Sequence, residues 1–169
     1  FPTRRSSDLH VTLITGSSLN ALAILGTRQS SPVHAVFRAS PVVKGEKVSA
    51  HAYPISDGMF MPLEIVDGVV QSPIGPAELK GVLQSTAYMG GQSAGGPLVG
   101  KHGEVVGIAI DKLSPDWPSD VGYAISVEGI QRLFASIGVA VTSGPGAASG
   151  QPAPSRYAGD YMVPIICFR

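Results

Sequence analysis

The hydrophobic positions of this chain fall in short runs separated by turn-forming residues. Three stretches alternate apolar and polar side chains: HVTLIT (10–15), PVHAVFRAS (32–40) and KGEKVSAHAYPI (44–55). In the third, a Lys-Gly turn comes first, and Val48, Ala50 and Ala52 then share one face. A period of two is typical of a strand with one face on the core, so each stretch predicts a β-strand.

Further runs predict additional strands. NALAILGT (20–27) is continuously apolar and predicts a strand buried on both faces, whereas LEIVDGVVQSPIG (63–75) carries an Asp-Gly pair that favours a hairpin turn at 67–68. Three later stretches predict a strand, a strand pair joined by a His-Gly turn, and a final strand: LKGVLQSTAYM (79–89), GPLVGKHGEVVGIAI (96–110) and VGYAISV (121–127). The chain is therefore expected to consist mainly of short strands.

One segment has the helical period. Ile130, Leu133, Phe134 and Ile137 fall at i, i+3, i+4 and i+7, and Gly138 follows as a C-terminal cap. Many short strands with one late helix favour an all-β barrel or sandwich. The Gly, Pro, Ala and Ser tract at 143–156 then predicts a linker, and the apolar segment 157–169 predicts either the first strand of another domain or a tail docked on the barrel.

Composition narrows the functional classes. With 44% apolar and 14% charged residues a core can form, and twelve basic residues balance twelve acidic ones, so charge gives no argument for nucleic acid or an anionic membrane. No apolar run is long enough to span a membrane. Cys167 is the single cysteine and no metal-ligand spacing is present, so neither an internal disulfide nor a cofactor is expected. The carboxylates of four residues show no paired spacing and predict surface charges: Glu64, Asp67, Asp111 and Asp116.

The first nine residues, FPTRRSSDL, have no strand or helix period. They are expected to be a non-native translation of a sequencing adapter joined to a shortened reading frame; the alternative is a disordered basic arm. On the first interpretation the natural upstream sequence is missing.

Residues 79–137 resemble the second β-barrel of trypsin-like serine endopeptidases, most closely the bacterial HtrA/Deg-type branch. The family's Gly-x-Ser-Gly-Gly-Pro-Leu loop, Gly-Glu-Val-Val/Ile-Gly-Ile hairpin and Gly-Tyr/Phe-Ala-Ile strand are matched by three segments: GGQSAGGPLV (90–99), GEVVGIAI (103–110) and GYAISVEGIQRLF (122–134). Upstream, KGEKVSAHAYPI and LEIVDGVVQS are similar to two further family strands. The likeness covers roughly a hundred residues in five ordered segments.

This resemblance implies a domain layout and a class of partner. Residues 10–32 would be the remnant of the first barrel, and 33–142 the complete second barrel with its C-terminal helix. The implied activity is serine endopeptidase cleavage of extended or unfolded polypeptide through an acyl-enzyme, in a periplasmic or other extracytoplasmic compartment, with an oligomer permitted.

The family's catalytic histidine and aspartate find no match. None of the four histidines stands in the expected place, so ordinary structural roles are predicted for all of them: His10, His34, His51 and His102. The family's Asp-Leu-Ala-Leu-Leu strand resembles ALAIL (21–25), which puts Ala21 at the position of the acid, with Asn20 one residue early. An asparagine there would favour the wrong histidine tautomer.

Two alignments compete at the nucleophile. Without a gap, Ala94 takes the serine position and Gln92 the oxyanion glycine position. With one inserted residue, Gly91-Gln92-Ser93 matches Gly-x-Ser and keeps a hydroxyl beside Gly91 and Gln92 as oxyanion residues. We prefer the gapless version, because Ala21 independently points to lost chemistry, and we expect Ala94 Cβ rather than Ser93 Oγ to face the cleft.

The substrate cleft is expected to persist. The family strand that pairs with substrate backbone maps onto Gly107, Ile108 and Ala109, with Tyr88 near the pocket base and Ala109 on its wall, which predicts an apolar, uncharged pocket. The sequence thus leaves two main hypotheses, a fragment of an active peptidase or a non-catalytic pseudopeptidase that binds or scaffolds extended peptides. A structural sandwich with an accidental likeness is the third.

Overall fold

A computed structural model describes residues 11–17, 21–28, 34–139 and 158–165. In these ranges the chain forms ten strands, two α-helices and one short 3₁₀ helix (Pro76–Glu78). The strands and α-helices are β1 (Val11–Ser17), β2 (Leu22–Thr27), β3 (Lys47–Ala52), β4 (Ile55–Ser56), β5 (Met59–Phe60), β6 (Glu64–Ser72), β7 (Val82–Ser85), β8 (Pro97–Gly100), β9 (Val105–Ile110), β10 (Gly122–Ser126), α1 (Val127–Ala135) and α2 (Ala158–Tyr161). The expectation of an all-β fold with a late helix is confirmed. The predicted regions 1–9 and 143–156 lie outside the described residues.

A closed six-stranded barrel forms the body of the molecule. Its strands follow the order β10-β7-β6-β3-β8-β9, and every neighbouring pair is antiparallel. Closure removes the free edges that an open sheet would expose. The interior is filled by aliphatic side chains that alternate with outward-facing ones, among them Val48, Ala50, Val70, Leu83, Leu98 and Val106. Val48 and Ala50 thus share the inner face that their spacing predicts.

β1 and β2 form a separate antiparallel hairpin. Along β2 the residues alternate between half-buried and exposed, so the prediction of a strand buried on both faces is wrong. The reason is that only one side of this two-stranded hairpin is covered by the barrel. Leu22 packs against an apolar cluster of the barrel, whereas Leu13 on β1 is 63% exposed. A continuous apolar run alone does not reveal how many faces are covered.

The predicted turn at Asp67-Gly68 is also wrong, because β6 runs through it as one nine-residue strand. β3 pairs along the whole of this stretch, with Ser49 opposite Asp67 and Val48 opposite Gly68. A Cβ built on Gly68 would lie 2.3 Å from the backbone nitrogen of Ala87. The glycine therefore serves a close approach between backbones and not a turn.

Residues 34–40 do not form the predicted strand. They make a single bridge, in which Arg38 N–H donates to Val105 O (3.0 Å) and Val105 N–H donates to Val36 O (2.8 Å). The Arg38 guanidinium is paired with Glu46 and lies 3.9 Å from the buried Glu104 carboxylate. These contacts hold Phe37 along the start of β9.

The helix α1 begins and ends as its sequence predicts. Ser126 Oγ accepts a bond from Gly129 N–H at its start, and Gly138 adopts a φ of 73° after its end. Ile130 and Leu133 are buried. Among the described residues, no helix has the length and apolar character needed to cross a membrane.

Within the segment 157–169, the structure describes residues 158–165, the C-terminal tail. Ala158 is completely buried in α2, and Met162 N–H donates to Ala158 O (2.9 Å) before the chain becomes extended. Residues 157 and 166–169, including Cys167, lie outside the described ranges.

Candidate functional site

The loop that resembles a serine peptidase's nucleophile loop joins β7 to β8 and is attached to β9. Gly95 N–H donates to Ala109 O, and Ala109 N–H donates to Gly96 O, both at 2.8 Å. Two backbone hydrogen bonds to one residue of a barrel strand fix the loop's position relative to the core. The loop therefore keeps a defined shape without any help from catalytic side chains.

Backbone geometry requires a glycine at both glycine positions of the Gly-Gly-Pro sequence. Gly95 has a φ of 88°, which lies in the left-handed region. Gly96 passes so close to β3 that a Cβ on it would sit 2.0 Å from His51 O. The Gly-Gly-Pro motif therefore indicates a backbone geometry. It does not indicate which residue precedes it.

A cavity of about 670 Å³ opens beside this loop. Barrel residues, the loop and the C-terminal tail contribute its walls: Ala35, Phe37, Ala52, Tyr53, Ile55, Phe60, Gly91, Gln92, Ala94, Gly95, Gly96, Pro97, Val105, Ile108, Tyr161, Met162, Val163, Pro164 and Ile165. None of these described lining residues carries a charge. The site is therefore a concave, largely apolar cleft.

Ala94 and Ser93 occupy different places in this loop. Ala94 lines the cavity, whereas Ser93 is only 5% exposed and does not. The Ser93 hydroxyl donates to Gly90 O at 3.0 Å, within the loop itself. A serine nucleophile needs an accessible oxygen and a base to take its proton, so the Ser93 hydroxyl is not presented for attack.

The loop amides are arranged as a turn. Ser93 N–H is directed at Gly90 O (3.3 Å) and Ala94 N–H at Gly91 O (3.5 Å). Gly91 and Gln92, the predicted oxyanion residues, do line the cavity. The absent Cβ of Gly91 would lie 3.7 Å from Asp111 Oδ2, so a carboxylate approaches the loop there. A negative charge beside an oxyanion hole opposes the charge that the hole must stabilise.

Among the described residues, no acidic or basic side chain lines the cavity. Ala21 sits exposed at the β1–β2 turn with a φ of 49°, and it does not line the cavity. His34 is exposed and His102 lies in the β8–β9 turn. Asn20 and His10 fall outside the described residues. Of the histidines that the structure describes, none lines the cavity.

His51 is a group whose environment sequence reasoning missed. Its ring is completely buried, its Nε2 lies 2.8 Å from Ser49 Oγ, and its Nδ1 has no hydrogen-bond partner among the described residues. Burial lowers the pKa of His51, while the nearby Asp67 carboxylate raises it by a smaller amount. The Ser-x-His spacing on a strand, which puts both side chains on one face, is the signal that could have found this pair.

The predicted substrate-pairing residues need a correction. Gly107 pairs with Leu98 on β8 and with Ser126 on β10, and Ile108 is likewise paired on both sides. Ala109 is bonded to the loop at Gly95 and Gly96 and faces Ala124.

A strand between two neighbours has no free backbone edge for a substrate to join. Only Ile108 lines the cavity; Gly107, Ala109 and Tyr88 do not. The cleft wall is formed instead by Tyr53, Ile55 and Phe60, which no sequence pattern singled out. No cluster of three metal-ligating side chains occurs in the ranges that the structure describes.

The closed antiparallel barrel, the Gly-Gly-Pro loop at its rim and the late helix define a trypsin-like serine protease fold. Among solved structures, the chain is similar to the active form of the Rv3671c protease from M. tuberculosis, with a TM-score of 0.61 and 22% identity over 82% of this chain and 63% of that one. The inactive form gives a TM-score of 0.60 and 21% identity over 78% and 68%. The apo MamO protease domain from Magnetospirillum magneticum gives 0.54 and 25% identity over 72% and 66%.

Among curated proteins, the chain is 23% identical over 175 aligned positions to the uncharacterized protein y4bJ of Sinorhizobium fredii. The alignment covers 97% of this chain and 28% of that protein, so the chain spans little more than a quarter of its relative's length. No protein-family model matches the chain.

Proposed function

We propose that this chain is a trypsin-like domain of the HtrA/Deg type that holds extended polypeptide in its cleft without cutting it. The observation that carries the proposal is that Ala94, and not a serine, lines the cavity at the nucleophile position of the loop. The ordered set of five motif segments supports the HtrA/Deg placement, and an extracytoplasmic location follows from that placement alone.

Loss of cleavage follows from what an acyl-enzyme mechanism needs. A hydroxyl must be within hydrogen-bond reach of a general base, and two N–H donors must converge on the developing oxyanion. In this chain the Ser93 hydroxyl bonds to Gly90 O, and the Ser93 and Ala94 amides close a turn. None of the described histidines borders the cleft.

Retention of peptide binding follows from the character of the cleft. Its volume of about 670 Å³ lies in the usual range for ligand sites, about 300 to 1,000 Å³. Its described walls are uncharged, and Tyr53, Ile55 and Phe60 supply apolar surface along one side. Such a cleft favours extended segments with apolar side chains over segments rich in lysine or arginine.

The experiment measures the fluorescence anisotropy of fluorescein-labelled unfolded casein as the chain is titrated in. We expect saturable binding that Ile55→Asp weakens at least tenfold, because the substitution puts a charge in an apolar wall. Ile74→Asp is the matched control, since Ile74 is 42% exposed and does not line the cavity. Equal affinities for the two variants, or no binding by the unaltered chain, would refute the proposal.

A further inference from the structure

The described C-terminal tail, residues 158–165, borders the cleft. Five consecutive tail residues, 161–165, line the same cavity as Gln92, Ala94 and Gly95 of the loop. The preceding helix is anchored: Ala158 is completely buried, and the position of a Cβ on Gly159 is 3.4 Å from Leu63 Cδ2 and 3.7 Å from the Tyr53 hydroxyl. The tail therefore forms one wall of the cleft, and it covers surface that an external peptide could otherwise contact.

The tail enters the cleft in an extended form with two kinds of side chain. After α2 ends at Tyr161, Met162 and Pro164 are half-buried, whereas Val163 is 57% and Ile165 51% exposed. This alternation is that of an extended peptide with one face on a surface. Tyr161 is also half-buried, and burial raises its pKa to about 12.

We infer that residues 158–165 are an internal ligand of the cleft and compete there with extended apolar peptides from outside. The inference rests on the proposed function, because it names a resident occupant of the same peptide site. Residues 161–165, the part of the tail that lines the cavity, carry no charge and define the external ligand class. That class is an extended segment with uncharged side chains in the cleft, including methionine and proline at alternate, half-buried positions.

Competition of this kind has a measurable consequence. When the binding-competent state is only a fraction of the population, the apparent dissociation constant rises by the inverse of that fraction. Met162→Asp places a carboxylate against uncharged walls and should release the tail. An external peptide should then bind at least tenfold more tightly. Val43→Asp adds the same charge at a 63% exposed residue that does not line the cavity, and it should leave the affinity within about twofold of the unaltered chain.

The test uses the full chain, its two variants and a fluorescein-labelled peptide with the sequence AGDYMVPI, which copies residues 158–165. Anisotropy gives the peptide's dissociation constant, and hydrogen exchange with mass spectrometry follows the amides of 158–165 and of the loop at 90–96. We expect protection of both segments in the unaltered chain and in Val43→Asp, faster exchange in Met162→Asp, and the tenfold gain in peptide affinity only in Met162→Asp.

The outcomes separate this inference from the function it rests on. An unprotected tail in the unaltered chain, or equal peptide affinity in all three proteins, overturns the internal ligand while casein binding still supports the proposed function. If the tail is released but the peptide binds to none of the proteins, the tail does not compete with external peptides and the inference is overturned. The anisotropy titration with casein then tests the proposed function separately.

Discussion

Replacing each glycine of the Gly95-Gly96 pair by alanine gives a sharp test of why the loop holds this sequence. The two positions require glycine for different reasons, Gly96 for lack of space beside it and Gly95 for its backbone angle. A Cβ on Gly96 would sit 2.0 Å from His51 O, so the loop must retreat by roughly 1.4 Å to restore an ordinary contact of 3.4 Å. A Cβ on Gly95 meets nothing within 4 Å, but the residue's φ is 88°.

The expected magnitudes differ accordingly. Overpacking against backbone costs about 1–3 kcal/mol, and retreat of the loop strains the 2.8 Å bond from Ala109 N–H to Gly96 O, worth about 1 kcal/mol. Gly96→Ala should therefore lower the free energy of unfolding by about 3 kcal/mol, or roughly 6–12 °C in Tm for a chain of this size. Gly95→Ala should cost only about 1 kcal/mol, the price of a left-handed alanine.

The assay is urea unfolding followed by tryptophan fluorescence. Trp117 is the chain's single tryptophan, and its ring centroid lies 4.6 Å from that of Tyr123 on β10, so its emission reports on the barrel. Equal losses for the two variants would refute the steric argument, as would a Gly96→Ala protein within about 0.5 kcal/mol of the unaltered chain.

Three further predictions concern the buried histidine, the nucleophile position and the core. Because the folded chain lowers the pKa of His51 below its unfolded value of 6.5, the unfolded chain binds more protons in acid, and the free energy of unfolding should fall as the pH drops below about 6.5. His51→Gln should make the free energy of unfolding depend less on pH in this range, and an unchanged dependence would count against the prediction. Ala94→Ser should gain no labelling by a fluorophosphonate probe, since no described histidine lines the cavity; labelling of either protein would contradict the account of lost catalysis. Leu98→Ala, at 2% exposure, should cost about 2–5 kcal/mol in urea unfolding, whereas Leu113→Ala, at 38% exposure, should cost under about 1 kcal/mol; similar losses would show that Leu98 is not a core residue.

The barrel strands were predictable because side chains two positions apart lie on the same face of a strand. Val48 and Ala50 face the interior as their alternation requires, and the i, i+3 spacing of Ile130 and Leu133 placed the helix for the same reason. These signals are local, since each residue's side follows from its neighbours along the chain.

The errors arise where the cause is a contact with a distant segment. Asp67-Gly68 has the composition of a hairpin turn, yet Gly68 is required by the approach of Ala87, nineteen positions further on. Likewise, β2 is a continuous apolar run, and its residues alone do not show that one face of the strand stays uncovered. The sequence shows where a glycine stands, but not whether a turn or a close backbone contact requires it.

The candidate site was predictable only in outline. The loop, its uncharged surroundings and an Ala94 that faces the cleft in place of Ser93 were expected. The bond from the Ser93 hydroxyl to Gly90 O was not, because residue spacing does not encode it. Residues 161–165 line the same cavity as Tyr53 and Ile55, which lie far earlier in the chain, and local residue spacing does not predict such a meeting. The sequence left that segment with two alternatives because an apolar stretch suits either of them.

The central claim is that the cleft binds extended polypeptide and does not cleave it. One measurement tests both parts: the anisotropy of fluorescein-labelled unfolded casein, followed for several hours after mixing with excess chain. The account predicts a rise on mixing to a value that then stays constant. A later fall below the starting value would show cleavage into small fragments, and the absence of any rise would show that the cleft does not bind; either result would contradict the claim.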